Sequence, residues 1–269
     1  MNEILRASAL AVGYGDRPVR EGVAASLHSG ELICLLGRNG AGKSTLLRAL
    51  GGLTKPLAGQ VEVRVGEEAG ERAGEWLDLH AMGPRQRAHR LGIILPERVD
   101  LGLMTSRELI NLGRHPYTGW SGRLSEKDRI VVDASLAELG IEALARRTVG
   151  SLSDGERQKV MIARALAQEP EIFLLDEPTA FLDLPGRVEV LKLLRELSRK
   201  ASRAVLVSTH DLDLAMRLAD RLWVLPSEGG LLDGTPQELA VNGALASAFE
   251  SPAAAEILQS ILEQSLPSS

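Results

Sequence analysis

The stretch Gly37-Arg38-Asn39-Gly40-Ala41-Gly42-Lys43-Ser44-Thr45 has the form G-x-x-x-x-G-K-[ST]. Glycines at this density let a backbone curl so that successive N–H groups converge on an anion. The apolar run Leu32–Leu36 leads into it as a strand, and Leu46–Leu50 follows as a helix. A helix N-terminus adds unpaired N–H groups and a partial positive charge to the same cradle. Lys43 is placed to reach β- and γ-phosphates, and the Ser44 hydroxyl to ligate Mg²⁺.

A second chemical cluster is Ile172-Phe173-Leu174-Leu175-Asp176-Glu177, four apolar residues and then two carboxylates. A buried strand that ends in Asp presents it at the mouth of a parallel sheet, where ligands bind. Asp176 is the expected Mg²⁺ partner of the phosphate loop. Glu177, one residue beyond, can take a proton from a water attacking the γ-phosphate, or orient that water. His210 closes a third strand, Ala204–Ser208. A neutral imidazole there can hydrogen-bond a γ-phosphate oxygen.

These groups need a layered scaffold. Short apolar runs alternate with amphipathic stretches, which indicates an α/β fold. Strands are expected at Ile4–Val12, Val23–Leu27, Val61–Val65, Leu91–Leu95, Glu171–Leu175, Ala204–Ser208 and Arg221–Leu225. Helices are expected at Ser106–Gly113, Glu126–Leu139 with Ser125 as N-cap, Asp154–Gln168, Val188–Ala201 and Leu212–Ala219. Residues 98–170 read as a helical lobe inserted in one domain spanning 1–269, and 235–269 as a helical tail. Gly66–Glu75 is acidic and glycine-rich, the composition of a solvated hairpin loop.

The 269 residues are 44% hydrophobic and 25% charged, with a net charge of −5, a globular balance that disfavours nonspecific nucleic-acid binding. The single cysteine, Cys34, lies in an apolar strand and reads as a core residue of a protein in a reducing compartment. No run of 18 or more apolar residues occurs, and the N-terminus lacks the basic-then-apolar pattern of a secretory signal. The expected location is cytosolic, with any membrane attachment made through a partner.

Leu152-Ser153-Asp154-Gly155-Glu156-Arg157-Gln158 resembles the LSGGQ signature of the ATP-binding cassette (ABC) ATPases. It stands shortly before the Asp176 strand, as in that family, and the resemblance runs from about Leu5 to Leu239. It implies a P-loop ABC ATPase core: a RecA-like mixed sheet with an antiparallel β subdomain, plus the inserted helical lobe. It also implies ATP and Mg²⁺ as ligands. By this resemblance Tyr14 stacks on adenine, and Asp183 faces a second subunit. Ser153, Gly155 and Glu156 of one copy close over ATP held by residues 37–45 of the other. His210 is the switch histidine. Glu97, in Pro96-Glu97, occupies the place of a family glutamine and offers Mg²⁺ a charged oxygen instead of a neutral one. Asp154 and Glu156 replace Gly and Gln of the usual signature.

Leu112-Gly113-Arg114-His115-Pro116-Tyr117-Thr118-Gly119-Trp120-Ser121-Gly122-Arg123-Leu124-Ser125 is similar to a stretch in the ATPase subunits of importers for iron–siderophores, haem and cobalamin. Arg114, Tyr117, Trp120 and Arg123 are residue types suited to a partner helix, although Tyr117 and Trp120 also suit the lobe's own core. The implied assembly is a homodimer on two integral-membrane permease subunits at the cytoplasmic face of the inner membrane. A substrate-binding protein would be linked indirectly, and no nucleic acid is expected. Two other readings are a soluble ABC ATPase acting on ribosomes or DNA, and an ABC exporter ATPase.

Overall fold

Three apolar runs bury every residue: Leu32–Gly37, Ile172–Asp176 and Ala204–Ser208. Burial on both faces is the mark of central strands in a parallel sheet covered by helices. The computed structural model describes residues 2–65, 74–96, 102–120, 122–227, 229–241, 243 and 245. In chain order its elements are β1 (Glu3–Tyr14), β2 (Arg17–His28), β3 (Leu32–Gly37), α1 (Lys43–Leu50), β4 (Ala58–Arg64), β5 (Trp76–Asp78) and α2 (Pro84–Arg90). There follow β6 (Leu91–Ile94), α3 (Ser106–Asn111), α4 (Glu126–Glu138), α5 (Asp154–Leu166), β7 (Ile172–Asp176) and α6 (Leu184–Lys200). The last are β8 (Ala204–Ser208), α7 (Leu212–Leu218), β9 (Arg221–Leu225), β10 (Leu232–Gly234) and α8 (Pro236–Val241).

Two sheets result. The larger has the order β10-β9-β3-β8-β7-β6 and is parallel except for β10, which pairs antiparallel with β9. The smaller is antiparallel, in the order β2-β1-β4-β5. Alternation along each central strand divides the core. Ile33 and Leu35 of β3, with Ile172 and Leu174 of β7, pack with α1 and the small sheet. Phe173, Leu175, Val205 and Val207 face the opposite layer, with α5, α6 and the helices between β6 and β7. Cys34 and Leu36 pack with α7 and α8. Cys34 is fully buried, and burial pushes its thiol up to about 12, which leaves it protonated and inert.

The antiparallel β4–β5 pair closes through the bond from Val65 N–H to the Glu75 carbonyl. Residues 66–73 of the acidic stretch lie outside the described residues, as does the tail beyond 245. Three short elements went unanticipated: β5, α2 and β10. None offers a periodic signal, since α2 buries no residue and the two strands have three residues each. Among the described residues, no helix is long and apolar enough to cross a membrane.

Helices α3, α4 and α5 pack together between β6 and β7. Their joint is built on Gly113 and Arg114. A Cβ on Gly113 would lie 2.2 Å from the Arg164 carbonyl, so only glycine lets this turn approach α5. Arg114 is 1% exposed. Its Nε donates to Asp128 at 2.9 Å, and its Nη1 donates to Glu169 and to the Ala167 carbonyl, both at 2.7 Å. Its guanidinium lies over the Tyr117 ring, 3.7 Å from the centroid. Asp128 also accepts from the Ser125 hydroxyl and N–H, completing the expected cap of α4. The Ser125 hydroxyl above all, with help from Arg114, holds the Asp128 carboxyl below the usual range. Arg114 therefore serves the interior and is not available to a partner helix, which corrects the sequence expectation. A cation spaced among apolar residues looks like a surface residue until two carboxylates and a carbonyl converge on it.

Removing one member of a buried ion pair strands the other. Arg114→Ala is expected to lower unfolding free energy by about 3–5 kcal/mol, read by chemical denaturation. A loss below about 1 kcal/mol, the level of an exposed pair, would show that the joint does not depend on it.

Candidate functional site

The loop from Gly37 to Gly42 links the end of β3 to the start of α1. Gly42 caps the helix with φ +91, a left-handed conformation that side chains resist. A Cβ there would also press on Val19 at 3.0 Å. Lys43 is buried, and its ammonium donates to the carbonyls of Gly37 at 2.8 Å and Arg38 at 3.2 Å. The lysine thus lies along the loop it must serve, and burial lowers its pKa. A cleft of about 240 Å³ opens here, lined by Tyr14, Val19, Asn39, Gly40, Gly42, Lys43, Ser44, Thr45 and Glu177. The Thr45 hydroxyl donates to the Tyr14 hydroxyl at 3.1 Å. This bond anchors a ring that is otherwise 65% exposed. The Ala41 carbonyl accepts from Arg20 Nε at 2.8 Å, a contact with no sequence signal.

The order β3-β8-β7 puts three strand ends side by side. Asp176 is 2% exposed. One of its oxygens accepts from the Ser208 hydroxyl at 2.6 Å, while the other is buried without a hydrogen-bond partner among the described residues. A carboxylate oxygen left this way is costly unless a cation or water completes it. The Ser208 oxygen also accepts from the Glu177 N–H at 2.8 Å. Ser208 thus orients both carboxylate residues. Its signal in the sequence was a hydroxyl closing an otherwise apolar strand. Glu177 itself has φ +49, a strained conformation for a residue with a side chain. His210 Nε2 lies 2.5 Å from Glu177 Oε1, so the two strand-end residues are hydrogen-bonded to each other. Glu177 borders both the phosphate cleft and a neighbouring cavity shared with Asn39, Thr179 and His210.

Among the described residues, no group of three or more His, Cys, Asp or Glu could hold a metal unaided. A hard cation held by one or two carboxylate and hydroxyl oxygens relies on phosphate for the rest of its shell, which is the habit of Mg²⁺. Asp176 and Ser44 fit that donor set. Glu97 lies outside the described residues.

Ser153 caps α5, where its hydroxyl accepts from the Glu156 N–H at 3.2 Å and the Glu156 carboxylate accepts from the Ser153 N–H at 2.8 Å. Arg147 holds the same carboxylate at 2.7 Å. The Ser153 N–H above all, with Arg147, keeps the Glu156 carboxyl below its ordinary range. Glu156 therefore faces its own chain, whereas the Ser153 residue is exposed. Asp183 is exposed and caps α6 through the Gly186 N–H at 3.0 Å. None of Ser153, Gly155, Glu156 and Asp183 lines the phosphate cleft. Of the proposed partner-contact residues, Trp120 and Arg123 are exposed. Tyr117 is half-buried, donating its hydroxyl to the Gln168 carbonyl at 2.9 Å and meeting the His89 ring edge-on.

A glycine-rich loop at a helix N-terminus, a buried lysine along it, and a strand-end Asp–Glu pair two strands away define a P-loop nucleoside triphosphatase. A sequence profile described as ABC transporter matches residues 21–180. An achromobactin transport ATP-binding protein of Dickeya dadantii strain 3937 is 38% identical over 241 residues, covering 89% of this chain and 85% of the relative. An iron(3+)-hydroxamate import ATP-binding protein of Bacillus subtilis strain 168 is 34% identical over 241 residues, covering 90% and 86%. Among solved structures, a putative metal-chelate type ABC transporter in an inward-facing conformation superposes with a TM-score of 0.79 at 26% identity, covering 93% of this chain and 90% of that one. This chain belongs to the ABC transporter family, as its ATP-hydrolysing cassette.

Ser208→Ala removes a donor from Asp176 and an acceptor from the Glu177 N–H. It is expected to lower saturated ATP turnover about tenfold, since each charge-linked hydrogen bond contributes about 1.5–3 kcal/mol. Steady-state hydrolysis by the purified chain checks this, and unchanged turnover would remove Ser208 from the site.

Proposed function

We propose that this chain powers an importer for a metal chelate of the iron–siderophore, haem or cobalamin kind, working as a homodimer on two permease subunits. The observation that carries the dimer is the separation of the two anion-binding helix ends. The phosphate cleft is lined by Tyr14, Val19, residues of the 39–45 loop and Glu177, and Ser153 and Gly155 are absent from its wall. A Cβ on Gly155 would meet nothing within 4 Å in its own chain, and Gly155 is not in the left-handed region. Gly155 stands in the first turn of α5, beside the Ser153 cap, and has no side chain to cover the free N–H groups of that helix end. Those donors suit a nucleotide phosphate carried by a second copy. A solved dimeric cassette with a TM-score of 0.70 at 26% identity supports this reading.

In the proposed site Tyr14 stacks on adenine, and the N–H groups of residues 37–45, with Lys43, hold the phosphates. Ser44, Asp176 and Glu97 would hold Mg²⁺, which supplies charge neutralisation at the phosphate oxygens. Glu177 orients the attacking water and takes its proton, while His210 fixes Glu177 and faces the γ-phosphate. Ser153 and Gly155 of the partner close the other side, with Asp183 at the seam. Glu156 acts by capping the Ser153 helix. Attachment to the cytoplasmic face of the membrane is through the permease, for which exposed Trp120 and Arg123 are suited contacts. The chelate cargo is supported by the achromobactin and iron-hydroxamate relatives and by the 112–125 similarity.

Glu177→Gln is expected to bind Mg–ATP, hydrolyse it at least a hundredfold more slowly, and elute as a dimer on size exclusion. Adding Gly155→Asp should abolish that dimer while leaving ATP affinity of the monomer within about threefold, because it adds bulk and charge only at the partner's phosphate. A Glu177→Gln chain that stays monomeric at saturating Mg–ATP, or a double variant that still dimerises, would overturn the shared-nucleotide reading. Co-purification with a polytopic permease, and stimulation of its ATPase by iron chelates over other solutes, tests the cargo class.

A further inference from the structure

Burial along β2 alternates through Val23, Ala25 and Leu27, and Gly22 interrupts it with φ +65. The β1–β2 register shifts there, between the Leu10–Val23 and Val12–Arg20 pairs. The shift turns Arg20 inward: it is 8% exposed, while Val19 and Glu21 on either side are exposed. A buried guanidinium usually has a carboxylate. Arg20 has none among the described residues. Its donors go to three carbonyls: Nε to Ala41 at 2.8 Å, Nη2 to Pro226 at 2.5 Å and Nη1 to Gly229 at 3.4 Å. Burial alone lowers its pKa, and an arginine stays charged even so.

We infer that Arg20 is a positioning residue for the phosphate loop, aiming the Gly42 N–H into the nucleotide cleft and placing a positive charge behind it. This rests on the nucleotide site described above. The Ala41 carbonyl and the Gly42 N–H belong to one trans peptide, so they point in opposite directions. Holding the carbonyl against Arg20 turns the N–H away from it, toward the side where Lys43 and Ser44 line the cleft. The same side chain ties the loop to the turn that follows β9. The loop's other end rests on β9 too, since a Cβ on Gly37 would lie 3.0 Å from the Leu225 carbonyl. Both ends of the cradle are thereby fixed to one strand exit. Arg20 makes its three bonds to neutral carbonyls, so its charge adds to the field at the anion in the cleft.

The role is tested in the 269-residue chain with Arg20→Met, which keeps the buried stem and removes the charge and donors, and with Arg20→Lys, which keeps the charge but lacks the planar fork that spreads donors to three separate carbonyls. Arg20→Met is expected to weaken Mg–ATP binding by about tenfold to a hundredfold, with KM rising in step and saturated kcat within about threefold. Arg20→Lys should recover part of the affinity. A general packing defect would lower kcat or melting temperature without this split and without rescue by lysine. A folded Arg20→Met chain that binds Mg–ATP within about twofold of the natural protein overturns the inference, as does a fall in kcat at unchanged KM. If Arg20→Met does not fold, the same affinity criterion is applied to Arg20→Lys. Failure of the natural chain itself to bind Mg–ATP would instead sink the nucleotide site on which the inference rests.

Discussion

Three adjacent parallel strands end at one level, and the hydroxyl of Ser208 binds two of those ends together. Through it β8 holds the Asp176 carboxylate of β7 and the backbone of Glu177. The neighbouring strand on the other side, β3, delivers the glycine loop. Parallel strands fully covered by helices have polar groups to offer only at their ends. The site is therefore where the sheet stops, and its precision is that of the sheet register, with Leu35 and Asp176 both opposite Ser208. An unpartnered carboxylate oxygen and a strained backbone at Glu177 are tolerated there because this rigid edge over-determines them.

Around that edge, polar residues divide between holding the chain and addressing something outside it. Ser153, Asp183 and Ser125 each cap a helix, which satisfies otherwise orphaned N–H groups. Capping consumes the oxygen of such a residue but leaves the helix end, with its remaining donors, free to face an anion. Glu156 and Asp128 complete two of these caps and take an arginine each, Arg147 and Arg114. The Glu156 carboxylate of the signature thus directs its charge to its own chain, at the Ser153 N–H and Arg147. Arg114 and Arg20 are the two deeply buried guanidiniums among the described residues and behave differently. Arg114 is neutralised by Asp128 and Glu169 and joins the helical layer, whereas Arg20 lies among carbonyls beneath the phosphate loop.

Much of this was legible in one dimension because the relevant signals are local. The G-x-x-x-x-G-K-S run, the apolar strand ending Asp176-Glu177, and the capping pattern at Ser125 and Ser153 each lie within a few residues, and local backbone preference sets their geometry. Apolar runs, alternation and the 3.6 period placed eight strands and six helices near their observed positions. Where no period existed, as in Pro84–Arg90 with no buried face, nothing marked the helix. Arg114, Trp120 and Arg123 looked alike as chemistry in the sequence, yet one is interior and two are exposed.

The amino-acid order alone determined the fold class, the glycine-rich loop at a helix N-terminus and the strand-end pair Asp176-Glu177, since each is encoded by neighbours along the chain. Tertiary structure decided everything that depends on distant segments meeting. It brought Ser208 to Asp176 across 32 positions, His210 to Glu177 across 33, and Arg20 to Pro226 across 206. Such pairings arise from strand order and register, and a single left-handed glycine in β2 is enough to turn an arginine from solvent into the floor of the site.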